Sequence, residues 1–99
     1  MSTSDAELLI TKIVARVESA IELARHRLET ETVDWRSNCY RNLATILETH
    51  KTSLQQGQLS TPGAGVGWGA GKAISEWGLD DAEISAAVEA AEGLYREGR

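Results

Sequence analysis

The sequence predicts an all-α fold, a small helical bundle, and three observations carry that prediction. Apolar residues recur at alternating spacings of three and four in three separate segments, the signature of helices that bury one face. Ala, Leu and Glu are frequent, Phe is absent, and the chain has a single Pro, a composition that favours helix. No run alternates apolar and polar residues for long enough to argue for a strand.

The first helix is expected over 5–29. Ser4-Asp5-Ala6-Glu7 fits a capping box, in which the Ser4 hydroxyl accepts from the Glu7 amide and Glu7 reaches back. Ile10, Val14, Val17, Ile21, Ala24 and Leu28 then form an unbroken seam. Leu9, Ile13 and Ala20 widen it to roughly 140° of the helix surface, enough to touch two neighbours. Residues 30–34 interrupt the pattern, with Asp34 as the expected cap of a second helix over 34–56. Its seam is Tyr40, Leu43, Leu47, His50 and Leu54, broadened by Cys39 and Ile46, and Gly57 is its expected left-handed terminator. Two long helices joined by so short a link form a long antiparallel helical hairpin.

Residues 57–71 form a Gly-rich connector that holds six of the nine glycines and the only Pro. A short helix over 72–77 follows, stopped by Gly78 with Leu79 folding back. Asp80-Asp81-Ala82-Glu83 resembles a second capping box and opens a C-terminal helix over 81–97. Ile84, Val88, Ala91 and Tyr95 line its seam, and Ala86, Ala87, Ala90 and Ala91 keep its surface low for close packing.

Ninety-nine residues amount to one small domain with a thin core. The net charge is −5. Residues 57–99 hold seven acids against three bases, a net of −4, which leaves −1 for residues 1–56. Such acidity disfavours nucleic acid and anionic lipid. A single cysteine, Cys39, allows no internal disulfide, so a cytoplasmic setting is expected. No stretch reads as a membrane span.

Candidate chemistry is sparse. Gly71-Lys72 superficially suggests a phosphate loop, but Val66 and Ala73 stand where that motif needs Gly and Ser or Thr. Gly65-Val66-Gly67-Trp68-Gly69-Ala70 fits a dinucleotide string, yet no strand precedes it. Trp68, between two glycines, reads as an apolar anchor, for this chain's own core in preference to a partner's groove. His50 in the seam should be mostly buried and His26, on the polar face, mostly exposed. No metal ligand set and no catalytic residue is identified, and no cofactor is expected. Arg25, Arg27, Arg36 and Arg41 cluster at the hairpin tip and form a weak candidate anion site, with Glu29, Glu31 and Asp34 at hand to neutralise it.

Leu8, Leu23, Trp35, Trp68 and Trp77 are the interaction candidates, because apolar residues outside the seams of a thin-cored protein suggest burial by a second chain. The functional expectation is a non-catalytic interaction or regulatory protein that presents a helical, acidic surface to a protein partner, with a homodimer expected. The alternative is a small-ligand binder or minor enzyme using the Gly-rich connector, with Trp68, as a lid.

Overall fold

The computed structural model describes residues 5–59, 62–63 and 65–98. Four helices follow one another: α1 (Asp5–Thr30), α2 (Asp34–Gln55), α3 (Ala70–Trp77) and α4 (Ala82–Glu97). No strand occurs among the described residues. The fold is all-α: α1 and α2 pack as the hairpin, α4 lies along α1, and α3 contacts both α2 and α4. The expected Ser4 cap lies outside the described residues.

The seams become the core. Ile13, Val17, Ala20 and Ala24 of α1, Leu43 and Leu47 of α2, and Ile84, Val88 and Ala91 of α4 are fully enclosed. Leu54, Leu79, Leu94 and Tyr95 extend that core toward the connector and α3. Burying one such aliphatic side chain contributes about 1.5–3 kcal/mol, so the three seams supply most of what holds the helices together.

Helix ends depart from expectation in instructive ways. Asp34 is not the cap of α2; it is the first helical residue, and Val33 precedes it with no side-chain cap. Glu31 takes the capping duty from outside the helix. Its carboxylate accepts from the Thr32 and Val33 amides at 3.1 and 3.3 Å and is held by Arg36 at 2.8 Å. At the other end of α2, Gly57 has φ +70°. The Gln58 amide donates to the Ser53 carbonyl and the Gly57 amide to Leu54, which closes the helix in a Schellman motif. Gly78 and Leu79 repeat that pattern on α3, donating to Ser75 and Ile74.

The start of α4 is shifted by one residue from the anticipated capping box. Asp81 is the cap, accepting from the Ile84 amide, and Glu83 turns outward to Arg27 instead of reaching back. The α3 helix begins at Ala70, so Gly71 is helical and the connector ends at Gly69. The cause is a carboxylate from α4, that of Glu92, which holds the Gly69 and Gly71 amides.

Candidate functional site

Two polar centres and one groove concentrate what chemistry the molecule has. The first centre lies at the hairpin tip, where α4 begins. Asp81 is only 9% exposed at its side chain. Its Oδ2 accepts from the Tyr40 hydroxyl at 2.6 Å and from Arg27 Nε at 2.9 Å, while Oδ1 accepts from the Ile84 amide. Burial works against the charged carboxylate, but Arg27, Tyr40 and the Ile84 amide outweigh it, and the Asp81 pKa is lowered to about 2. The same contacts hold Arg27 more firmly protonated than usual, through Asp81 first and Glu83 second. Burial, and then Asp81, push the Tyr40 phenol upward.

The tip arginines are therefore engaged within the chain. Arg27 binds Asp81 and Glu83; Arg36 binds Glu31 and Tyr40; Arg25 binds Glu48; Arg41 donates to Asn38. The four do not all converge on one point. Arg27 and Arg36 both reach the Tyr40–Asp81 pair, while Arg25 and Arg41 go to Glu48 and Asn38, and three of the four hold carboxylates.

The second centre is the Gly-rich connector. Glycine occupies every odd-numbered position from 63 to 71, and each of the five meets α4 or its end. The Gly63 and Gly65 amides donate to the Tyr95 and Arg96 carbonyls at 2.8 and 3.0 Å, which satisfies carbonyls left free at the end of α4. The Gly69 and Gly71 amides donate to the two oxygens of Glu92, at 3.2 and 3.1 Å. A side chain at Gly67 would collide with that carboxylate, and one at Gly98 would come within 2.9 Å of the Gly63 Cα.

Glu92 is the one charged residue buried among those described, at 7% exposure. It sits at the N-terminus of α3, where free amides and the helix dipole favour an anion. The position that a nucleotide phosphate would need is thus filled by the protein's own carboxylate. Sequence reasoning missed this residue. The available signal was its place four residues after Val88, on the buried side of a helix otherwise lined by small apolar residues.

Trp68 stands between His50 and Tyr95, its ring centroid 5.3 Å from the first and 4.8 Å from the second, nearly parallel to both. It packs partly buried against the core, and no acceptor among the described residues reaches its buried Nε1. His50 is half-buried, not mostly buried, with Trp68 stacked on its ring. Burial lowers the His50 pKa; the nearby Glu92 charge and a hydrogen bond with the Trp68 main chain oppose that shift. His26 is exposed, 3.9 Å from Glu29. No group of three potential metal ligands occurs among the described residues.

The interaction candidates divide. Leu8 and Trp35 are about half exposed, at 49% and 50%. Leu23, Trp68 and Trp77 are partly buried and pack against the core. Val33 and Val66, not singled out in the sequence, are exposed as well. The Arg36 guanidinium lies 5.5 Å from the Trp35 ring centroid and covers part of it.

Along the side of the hairpin, α1 and α2 leave a groove. Three open hollows of about 390, 320 and 340 Å³ follow it, from Ile10 and Val14 past Glu18, Ile21 and Arg25 to Leu28. None is an enclosed ligand chamber of the kind that surrounds most of a small molecule; together they make a long trough. No helix is long and apolar enough to cross a membrane among the described residues. Comparison with protein-family models, curated proteins and solved structures finds no match for the chain.

Proposed function

We propose that this chain is a non-catalytic interaction protein of the cytoplasm, a helical body that binds a protein partner through its surface. The observation that carries the reading is the occupied Gly-rich connector. The amides best placed to receive a phosphate or substrate carboxylate are taken by Glu92, and Trp68 is stacked between His50 and Tyr95. Leu8, Val33, Trp35 and Val66, by contrast, hold large apolar side chains in water. The α4 acids contribute less to such a surface than their number suggests, since Glu83 pairs with Arg27, Glu89 with Arg96, and Glu92 is buried.

Affinity capture with wild type beside Leu8→Ser and Trp35→Ser variants tests this reading. The expected outcome is one partner that wild type retains and at least one variant loses, with thermal unfolding unchanged. Turnover of a small substrate, or capture indifferent to every exposed apolar residue, overturns it.

A further inference from the structure

Five of the nine α1 residues that line the hairpin groove form a stripe along it: Val14, Glu18, Ile21, Arg25 and Leu28. Taken from Ile21, they stand at −7, −3, 0, +4 and +7. Reversed end to end, the stripe keeps its apolar positions and exchanges its acid for its base to within one residue, about 1.5 Å along the helix. A helix face with that property is complementary to an antiparallel copy of itself. An interface of this kind is isologous, since each residue meets on the second copy the residue that meets it.

From this order we infer that the α1–α2 groove is the docking surface for a second copy of this chain, related by a two-fold axis at Ile21. The inference goes beyond the interaction reading above, since the groove is lined by none of the exposed residues Leu8, Val33, Trp35 and Val66. Val14 then faces Leu28 of the second copy, Leu28 faces Val14, and the axis passes over the buried Ile21. Glu18 lies against Arg25 of the second copy, and Arg25 against Glu18.

The side chains are available for these roles. Val14 and Leu28 are half-buried, so each still has apolar surface to cover. Ile21, at 3% exposure, forms the floor. Glu18 is exposed and makes no ion pair among the described residues. The Arg25 side chain is 62% exposed and uses Nη2 on Glu48. A guanidinium has five N–H donors, so Nε and Nη1 remain for a second carboxylate. Arg25 would thus bridge Glu48 of its own chain and Glu18 of the other. The fully enclosed α1 residues Ile13, Val17, Ala20 and Ala24 belong to the monomer core and need no rearrangement.

Charge reversal with complementation tests the inference by sedimentation equilibrium across the micromolar range. Wild type is expected to dimerise. Glu18→Arg alone and Arg25→Glu alone should each raise the dimer dissociation constant about a hundredfold, because each sets two like-charged pairs where two opposite pairs stood. Mixing the two variants should restore dimers. The introduced arginine of one chain then faces the introduced glutamate of the other, and the native Glu18–Arg25 pair fills the second position.

Rescue on mixing separates a lost interface from a damaged fold, and circular dichroism of each variant confirms helix content. A wild-type monomer throughout the range overturns the inference. So does a dimer indifferent to both reversals, which would use another face. If a monomeric wild type still captures a different protein in a Trp35-dependent way, the interaction reading stands and only the self-association fails.

Discussion

The two polar centres solve the same problem, holding α4 to the rest of the chain, by opposite means. At the tip, side chains do the binding: Asp81 collects Tyr40 and Arg27, residues from two other helices. At the connector, one side chain and the backbone do it: Glu92 and the last α4 carbonyls collect glycine amides. The tip therefore depends on which side chains are present. The connector depends as much on which are missing, because any side chain at Gly67 would occupy the space of the Glu92 carboxylate.

The largest effect is expected from Asp81→Ala. It removes the α4 cap, takes the acceptor from the Tyr40 hydroxyl and leaves the Arg27 guanidinium with Glu83 alone. A loss of roughly 3 kcal/mol is expected, of which the cap accounts for about 1. Urea unfolding monitored by circular dichroism measures it.

Acid separates the two centres. Asp81 has its carboxyl pKa lowered from 3.8 to about 2. Its contribution is fully present above the unfolded value and is lost as pH falls through the folded one, a change of roughly 2 kcal/mol. His50 acts earlier. Its folded pKa is lowered by burial, so the unfolded chain takes up the proton first. Stability should decline as pH drops below about 6.5 and level off once the folded imidazole is also protonated. A pH series of urea midpoints should show both steps, and His50→Gln should abolish only the upper one.

Gly67→Ala should cost about 1–2 kcal/mol, since Glu92 must give up its bonds to Gly69 and Gly71 to make room. Combined with Glu92→Gln, the losses should fall short of additive, because both act on one contact. Full additivity would mean that the connector is held by something else. The smallest effect is expected from Trp68→Phe, within about 1 kcal/mol of neutral. It keeps an aromatic ring between His50 and Tyr95 and removes a buried N–H that has no acceptor among the described residues.

The all-α architecture was legible because helix periodicity is a property of a segment and its neighbours in sequence. The seams of α1, α2 and α4 reappear as the enclosed core almost residue for residue. Gly57 and Gly78 were readable as terminators for the same reason. What was not legible depended on distant residues. Asp34 had the right chemistry for a cap, but the helix begins one residue earlier than that implies, behind Val33, whose amide is held by Glu31, itself drawn in by Arg36. Glu83 looked like the far half of a capping box until Arg27 from α1 claimed it. In the connector, the glycines are conspicuous in number, but their strict alternation is the informative feature. That alternation is the mark of a backbone with one face stripped bare, and it acquires meaning only when α4 lies against it.

The Gly63 amide bonds to the carbonyl of Tyr95, thirty-two positions further along the chain. On a ribosome, the hairpin has all of its own sequence in hand long before that acceptor has been translated. Its apolar flank toward α4 must wait in water until the final segment emerges. A nascent chain stalled shortly after residue 80 is therefore the form of this protein in which a chaperone would find most to hold.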